Sequence, residues 1–346
     1  SQLAASGDSV YVSAAAECLH FNATDGGERK RFLLPGEESS SLTNFEWGYL
    51  ATVDDILFGT KQKKGSTRRE HSREQIEEGT YFDSRPLVCS DSLFALQRET
   101  GELFWQYEPK SGPIVNSTIA IADGYAVFLE STHAELAKSK TGRHKAVDLF
   151  RSPPLLTVLD IRTGSQLWQK PLDLKHIQHT IYVSAVRNRI LVHGSFNRAA
   201  GGKPKVHLDV SVFDADSGKQ LWQKVQNTGA QVGGAHGEQD LHPVIVGNRL
   251  YCEPFAFDLE TGKPLDDWNW TYGRRRGCGT ISASASTFFF RHSHPTMFDL
   301  TGNSYSKVTT STRPGCWINM IPAGGLLLIP EASSGCSCNY AIQSSM

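Results

Sequence analysis

Four cysteines are the densest chemistry in this 346-residue chain. Cys278 and Cys316 each follow a glycine, in Arg-Gly-Cys278-Gly and Pro-Gly-Cys316-Trp, and Gly-Cys336-Ser-Cys338 comes after them. These four of the seven cysteines fall in the last 69 residues, a density ordinary for exported proteins and high for a reduced cytosolic enzyme. Two disulfides pinning the C-terminal part are the first expectation, because cross-links restrain the unfolded chain. A thiolate-bound zinc is the second: Cys-x-Cys is not the usual zinc-finger spacing, yet four converging sulfurs suit the ion. Reactive thiols are the third. The odd total leaves at least one thiol unpaired, and there is no Cys-x-x-Cys-His haem attachment signal.

Histidine supplies a second constellation. His292-Ser-His294, His236, His242 and His179 all fall near strand ends, with the cationic run Arg274-Arg275-Arg276 and with Glu238, Trp47 and Trp317. Brought together, such groups would bind an anion or a sugar, or offer a general base. Taken singly, each histidine reads as a structural hydrogen-bonding group, and the arginine run reads as a solvated loop. Asn22-Ala-Thr24, Asn116-Ser-Thr118 and Asn269-Trp-Thr271 fit the glycosylation sequon, a weak signal. No Gly-x-Ser-x-Gly, P-loop or dinucleotide fingerprint is present.

The elements that must position these residues repeat. LLTVLDIRTGSQLW (155–168) has an alternating strand, an Asp-x-x-Thr-Gly turn and a second strand ending in tryptophan. The pattern returns in DVSVFDADSGKQLW (209–222) and SLFALQRETGELFW (92–105), and more weakly at 18–32, 255–268 and 296–308. Alternation is the period of a sheet strand. The aspartate accepts from turn N–H groups, and the glycine supplies the positive φ of a tight turn. The tryptophans are plates for the space between neighbouring sheets.

Two further strands precede each turn, so the unit is a four-stranded sheet with strands A, B, C and D. Radial repetition of such units predicts an all-β chain, a β-propeller of four-stranded antiparallel blades with seven blades in this chain, or eight in the complete protein. The seventh unit lacks a fourth strand, and the first already has four. The expectation is therefore one domain over 1–346 whose N-terminal closing strand or blade lies before Ser1.

Turn glycines at 26, 101, 164, 218, 262 and 302 are spaced 75, 63, 54, 44 and 40 residues apart, and the excess over about 40 marks insertions. They fall in B-to-C connections (61–90, 131–154, 197–205) and D-to-A connections (35–46, 227–239, 272–277). Both kinds leave the sheets at the same end, so one face carries nearly all the elaboration. Such faces bind partners, although a single insertion taken alone reads as a tolerated solvent loop. The mixed charge run 61–78 and the stretch 135–145 read as mobile or short helical excursions.

A net charge of -1 gives no broad basic field for nucleic acid. No stretch approaches the ~20 apolar residues of a membrane span. No secretory leader is visible, and the chain begins in what reads as the middle of a repeat, as a mature or trimmed protein would.

The turn motif with its tryptophan (VLDIRTGSQLW, VFDADSGKQLW, ALQRETGELFW) resembles the pyrroloquinoline-quinone-like repeat of the quinoprotein alcohol dehydrogenase superfamily, over essentially the whole chain. The segment RPGCWINMIPAGGLLLIPEASSGCSCNYAIQSS looks more narrowly like exported propellers of planctomycete-type bacteria. The resemblance implies either a quinone-dependent dehydrogenase or a scaffold of the outer-membrane assembly kind. Quinone enzymes of the superfamily carry adjacent cysteines against the cofactor, an aspartate base and calcium ligands; this chain has no adjacent cysteines, and no ligand set maps onto it. The expectation is an exported binding or assembly module that engages protein or polysaccharide through the elaborated face, alone or within a larger assembly. The alternative is an enzyme at the channel mouth: an oxidoreductase using PQQ with calcium or a metal, or a polysaccharide lyase or hydrolase.

Overall fold

A computed structural model describes residues 2–67, 86–199, 202, 204–231, 242–270, 279–311, 314–315 and 319–330. The chain divides into two compact units, Ser1–Val192 with Phe213–Gln220, and His193–Val212 with Leu221–Met346. Strand dominates both, and the sheets of three or four strands follow chain order.

In the first unit, Leu3–Ser6, Ser9–Ala14, Glu17–Asn22 and Glu28–Leu33 form the first repeat's four-stranded sheet. Tyr11, Cys18 and Phe32 face one side and are buried with Trp47, Leu57 and Phe94 of the second repeat. The second repeat is Phe45–Val53, Ile56–Lys63, Leu87–Gln97 and Leu103–Tyr107. The third comprises Ile114–Val115, Ala120–Ala122, Tyr125–Glu130, Leu155–Asp160 and Gln166–Pro171.

These two repeats were expected as separate sheets, and they form one ten-stranded sheet. The cause lies at Asn116–Thr118, a 3-10 turn that splits the third repeat's first strand. The Thr118 hydroxyl donates to the Val115 carbonyl at 2.7 Å and accepts from the Leu129 N–H at 2.9 Å, taking the place of a ladder bond. The freed piece Ile114–Val115 then pairs with Cys89 and Ser90 on one side and Glu130 on the other.

The repeat motif works as a seat and a plate. The Trp105 indole donates to the Ile161 carbonyl at 2.9 Å, Trp168 to Ala215 at 2.6 Å, and Trp222 to Leu259 at 2.8 Å. Each ring lies on the turn glycine of the next repeat. A Cβ built on Gly164 would stand 2.6 Å from Trp105, on Gly218 3.1 Å from Trp168, and on Gly262 2.5 Å from Trp222. Phe32 sits on Gly101 in the same way. Glycine is thus required for positive φ, +68° at Gly164, and also because the next ring occupies the space of a side chain. The turn aspartates behave as the sequence predicts: Asp160 Oδ1 accepts from the Arg162 and Thr163 N–H groups, and Asp214 and Asp258 repeat the pattern with Ser217 and Thr261. All three carboxyls are held below the usual carboxylate range, Asp160 first by the Thr163 N–H, and Asp214 and Asp258 first by the Ser217 and Thr261 hydroxyls.

The fourth repeat's sheet is Ile181–Val186, Arg189–Arg198, Lys205–Asp214 and Gln220–Gln231, and the division between the two units passes through its residues. Strand extends into the ends of what reads as loop at 197–205 and 227–239, reaching Arg198, beginning again at Lys205, and running on to Gln231. In the second unit, Val244–Val246, Arg249–Cys252 and Phe255–Asp258 make a three-stranded sheet, with a single Phe257–Pro264 bridge in place of the expected fourth strand. Ser282–Ala283, Thr287–His292, His294–Asp299 and Ser304–Lys307 form the sixth repeat's sheet. Between these two repeats Trp268, Trp270, Phe288, Phe290 and Phe298 pack with Tyr251. Ile321–Ala323 and Leu326–Leu328 are a hairpin of the seventh. That repeat's expected third strand, 339–345, lies outside the described residues.

Candidate functional site

The two ends of the sheets are built differently. Where strand A meets strand B, the chain reverses in two-residue turns such as Asp54-Asp55, Asp123-Gly124 and Arg187-Asn188, with positive φ at Asp54, at both residues of 123–124 and at both residues of 187–188. At the opposite end the connection 131–154 is a built structure. Helices Ala134–Ala137 and Ala146–Leu149 flank Arg143–His144, which pairs with Leu87 and Val88. Leu149 and Phe150 are fully buried, and the Ser131 hydroxyl donates to the Leu149 carbonyl at 2.9 Å. The stretch 135–145, expected as a mobile or short helical excursion, opens on the first of these helices and ends on the Arg143–His144 pairing, and the connection is anchored just beyond it by Leu149 and Phe150. Two large apolar side chains at this end stay in solvent, Leu42 in the D-to-A connection and Val147 on the second helix.

A hydrogen-bonded polar cluster lies at the same end of the second repeat. Gln62 Nε2 donates to Glu46 Oε1 at 3.0 Å, Asn116 Nδ2 donates to Gln62 Oε1 at 3.1 Å, and the Ser90 hydroxyl donates to Asn116 Oδ1 at 2.7 Å. Ser90 and Thr60 hydroxyls lie 2.9 Å apart, and Thr60 Oγ1 accepts from the Tyr49 N–H at 2.8 Å. Gln2, Ser13, Ala15, Glu46, Gly48 and Gln62 are among the residues enclosing a cavity of about 60 Å³ beside this cluster. Behind Glu46, Lys61 and Lys63 lie 4.5 and 4.9 Å from the centre of the Phe45 ring and pair with Glu37 and Asp91.

A second carboxylate is deeper. Glu130 is buried and accepts from the Tyr107 hydroxyl at 2.8 Å and from Gln169 Nε2 at 2.7 Å. Burial raises its pKa above the ordinary carboxylate range, opposed by those two donors and by Lys110. In the second unit, His193 is buried with neither ring nitrogen hydrogen-bonded among the described residues. Burial first, and then nearby His242, lower its pKa to about 3, against an opposing pull from Asp209. Asp209 is also buried and takes both hydrogen bonds of Gln223 Nε2, at 2.9 and 3.0 Å.

The expected channel-mouth set is only partly placed. Trp47 is buried, edge-on to Phe94 at 4.9 Å. His242 donates from Nδ1 to the Pro243 carbonyl at 2.8 Å, and burial lowers its pKa. His179 is half-buried. His292 and His294 flank Ser293, whose φ of +63° turns the chain directly from strand B into strand C, so this repeat has no insertion there. His294 has its pKa lowered by desolvation and by Lys307. His236, Glu238, Arg274, Arg275, Arg276 and Trp317 lie outside the described residues, as do Cys278, Cys316, Cys336 and Cys338. The other three cysteines, Cys18, Cys89 and Cys252, are buried free thiols; burial pushes Cys18 up to about 12 and raises the other two further.

Glu46, Gln62, Ser90, Glu130 and His193 were not singled out in the sequence. Glu130 and His193 stand inside or at the end of apolar runs, YAVFLE and RILVHG, whereas Gln62, between Lys61 and Lys63, carries no such signal. Asn116 was read as a sequon, and its amide is instead engaged on both sides.

Among the described residues no group of three or more His, Cys, Asp or Glu is placed to hold a metal ion. The cavity beside Glu46 does not fit the quinone of the resembled enzymes: about 60 Å³ falls well below the roughly 300 Å³ of small-molecule pockets. Among the described residues no helix is long and apolar enough to cross a membrane.

Antiparallel repeats locked by a tryptophan on the next repeat's turn define a pyrroloquinoline-quinone-like repeat protein. The chain belongs to the family described as outer membrane protein assembly factor BamB, matched over residues 90–277, more than half its length. No curated protein matches the chain. Among solved structures, one described as the Dos1 propeller is 12% identical, with a TM-score of 0.49 over 83% of this chain and 64% of that one. Apo AztD from Citrobacter koseri is 12% identical, with a TM-score of 0.36 over 64% of this chain and 45% of that one. Likenesses this loose carry no argument about function.

Proposed function

We propose that the protein is an exported propeller that binds a partner polypeptide and serves in its assembly, through the end of its sheets that carries the long connections. In this reading the seven repeats close into one ring and one domain, and nearly all the insertions share a face. The observation that carries it is the contrast between the sheet ends: minimal turns at one, folded excursions with Leu42 and Val147 held in solvent at the other. Membership of a family described as an outer membrane protein assembly factor supports a polypeptide partner and an exported location.

Site-specific photo-cross-linking tests this. Benzophenone side chains at Leu42 and Val147 should capture the same polypeptide in the producing cells, and at Glu99 and Lys219, on the tight C-to-D turns, should capture little. Equal capture from both ends would sink the proposal. Capture of polysaccharide alone would replace the partner class.

A further inference from the structure

The cavity beside Glu46 has a specific electrostatic character. The Ser90 hydroxyl is placed to donate to Asn116 Oδ1 at 2.7 Å and to Thr60 Oγ1 at 2.9 Å, and Thr60 Oγ1 also accepts from the Tyr49 N–H. Asn116 passes the direction on to Gln62, and Gln62 to Glu46. Three hydrogen bonds, from Ser90 through Asn116 and Gln62, therefore run one way and end on a single carboxylate oxygen, Glu46 Oε1. Bonds aligned in series polarise one another, so the series presents its donor end to this oxygen.

Among the described residues, Glu46 makes no ion pair, and its second oxygen takes no hydrogen bond. The neighbouring lysines do not serve it: Lys61 pairs with Glu37 and Lys63 with Asp91. Gly48 allows the cluster to close, since a Cβ there would stand 2.4 Å from Thr60 Oγ1 and 2.6 Å from Gln62 Oε1. At about 60 Å³ the cavity holds roughly two waters' share of liquid, too little for a ring or a peptide.

We propose that this cavity takes the primary ammonium of a lysine on the partner polypeptide. Glu46 supplies the counter-charge, and Ser13 and Gln62, which line the same cavity, offer the remaining lone pairs of oxygens that already accept from the Gln2 N–H and from Asn116 Nδ2. The proposal rests on the reading of this end as the binding face, and it names the chemistry of one contact there.

The probe is n-butylammonium, a lysine side chain without its backbone, titrated into the folded protein. The Gly48 amide and Trp47 indole are followed by proton–nitrogen spectroscopy, with the six other indoles as internal references. The expected result is a saturable shift at these two groups, at least about fivefold weaker in Glu46→Gln and unchanged in Glu37→Gln. An equal response in Glu46→Gln, the same shifts from potassium or tetramethylammonium, or no saturable shift would each overturn it. If Glu46→Gln does not fold, the comparison of butylammonium with tetramethylammonium on the unmodified protein still decides, because only the former donates hydrogen bonds. Cross-links from Leu42 and Val147 without a butylammonium response would sink this contact alone; a response without cross-links would sink the binding-face reading alone.

Discussion

Replacing Gly164 by alanine should destabilise the first unit by two separable routes. Its φ is +68°, where an added Cβ costs ~1–2 kcal/mol. That Cβ would also stand 2.6 Å from Cγ and Cδ2 of Trp105, which is 8% exposed and has nowhere to withdraw without losing its 2.9 Å bond to the Ile161 carbonyl. Overpacking of this kind costs ~1–3 kcal/mol more. The total expected for Gly164→Ala is about 2–5 kcal/mol. In a Trp105→Leu background the ring is gone, so the same alanine should cost only the backbone part, about 1–2 kcal/mol. A double-mutant cycle by urea unfolding, followed by circular dichroism, measures the difference as a coupling of about 1–3 kcal/mol. Costs that add to within ~0.5 kcal/mol would refute the seat, leaving Gly164 as an ordinary turn glycine.

Four further outcomes are expected. Trp105→Phe should cost about 1 kcal/mol in the same assay, since the ring stays and the bond to Ile161 is lost; a cost above ~3 kcal/mol would mean that the phenyl ring does not keep the seat. Glu130 has a raised folded pKa, so the proton it binds stabilises the fold at acid pH and that contribution falls away as pH rises through the carboxylate range. Melting temperatures of the unmodified protein and Glu130→Gln should therefore diverge in favour of glutamine between about pH 4 and pH 7, and a pH-independent difference would contradict the assignment. His193 has a depressed pKa, so its neutral ring stabilises the fold above the unfolded value of about 6.5, and that contribution is lost as pH falls towards about 3. His193→Leu should shift acid unfolding to lower pH; an unmoved midpoint would show that this ring does not limit acid stability. Cys18, Cys89 and Cys252 should resist alkylation at pH 8 until urea unfolds the protein, as read by peptide mass spectrometry.

Strand periodicity and turn chemistry were legible because they are local. Asp160 and Gly164 act within five residues of each other, and the period of two in LLTVLD is a property of one strand. The seat was not legible, since Gly164 meets a ring 59 positions away, on another sheet. Thr118 disguised the join between the second and third repeats, because a hydroxyl standing in for a ladder bond looks like any polar strand residue. Glu46, Gln62 and Asn116 belong to two repeats, so no single stretch shows that their side chains form one series. The histidine set was inferred from strand ends alone, and His236, Glu238, the arginine run and Trp317, with which His292 and His294 were grouped, lie outside the described residues.

The indole contacts also set an order in time. Trp105, Trp168 and Trp222 reach carbonyls 56, 47 and 37 residues further along, always towards the C-terminus. Trp268 instead turns back to the Pro254 carbonyl of its own repeat. As the chain emerges from a ribosome, each outer strand in this run must wait, its indole unsatisfied, for the next turn to be made. The fifth repeat supplies its own acceptor and needs no successor for that bond. A nascent chain halted just beyond Trp222 therefore lacks the acceptor for that indole, whereas one extended past Trp268 contains the acceptors of all four.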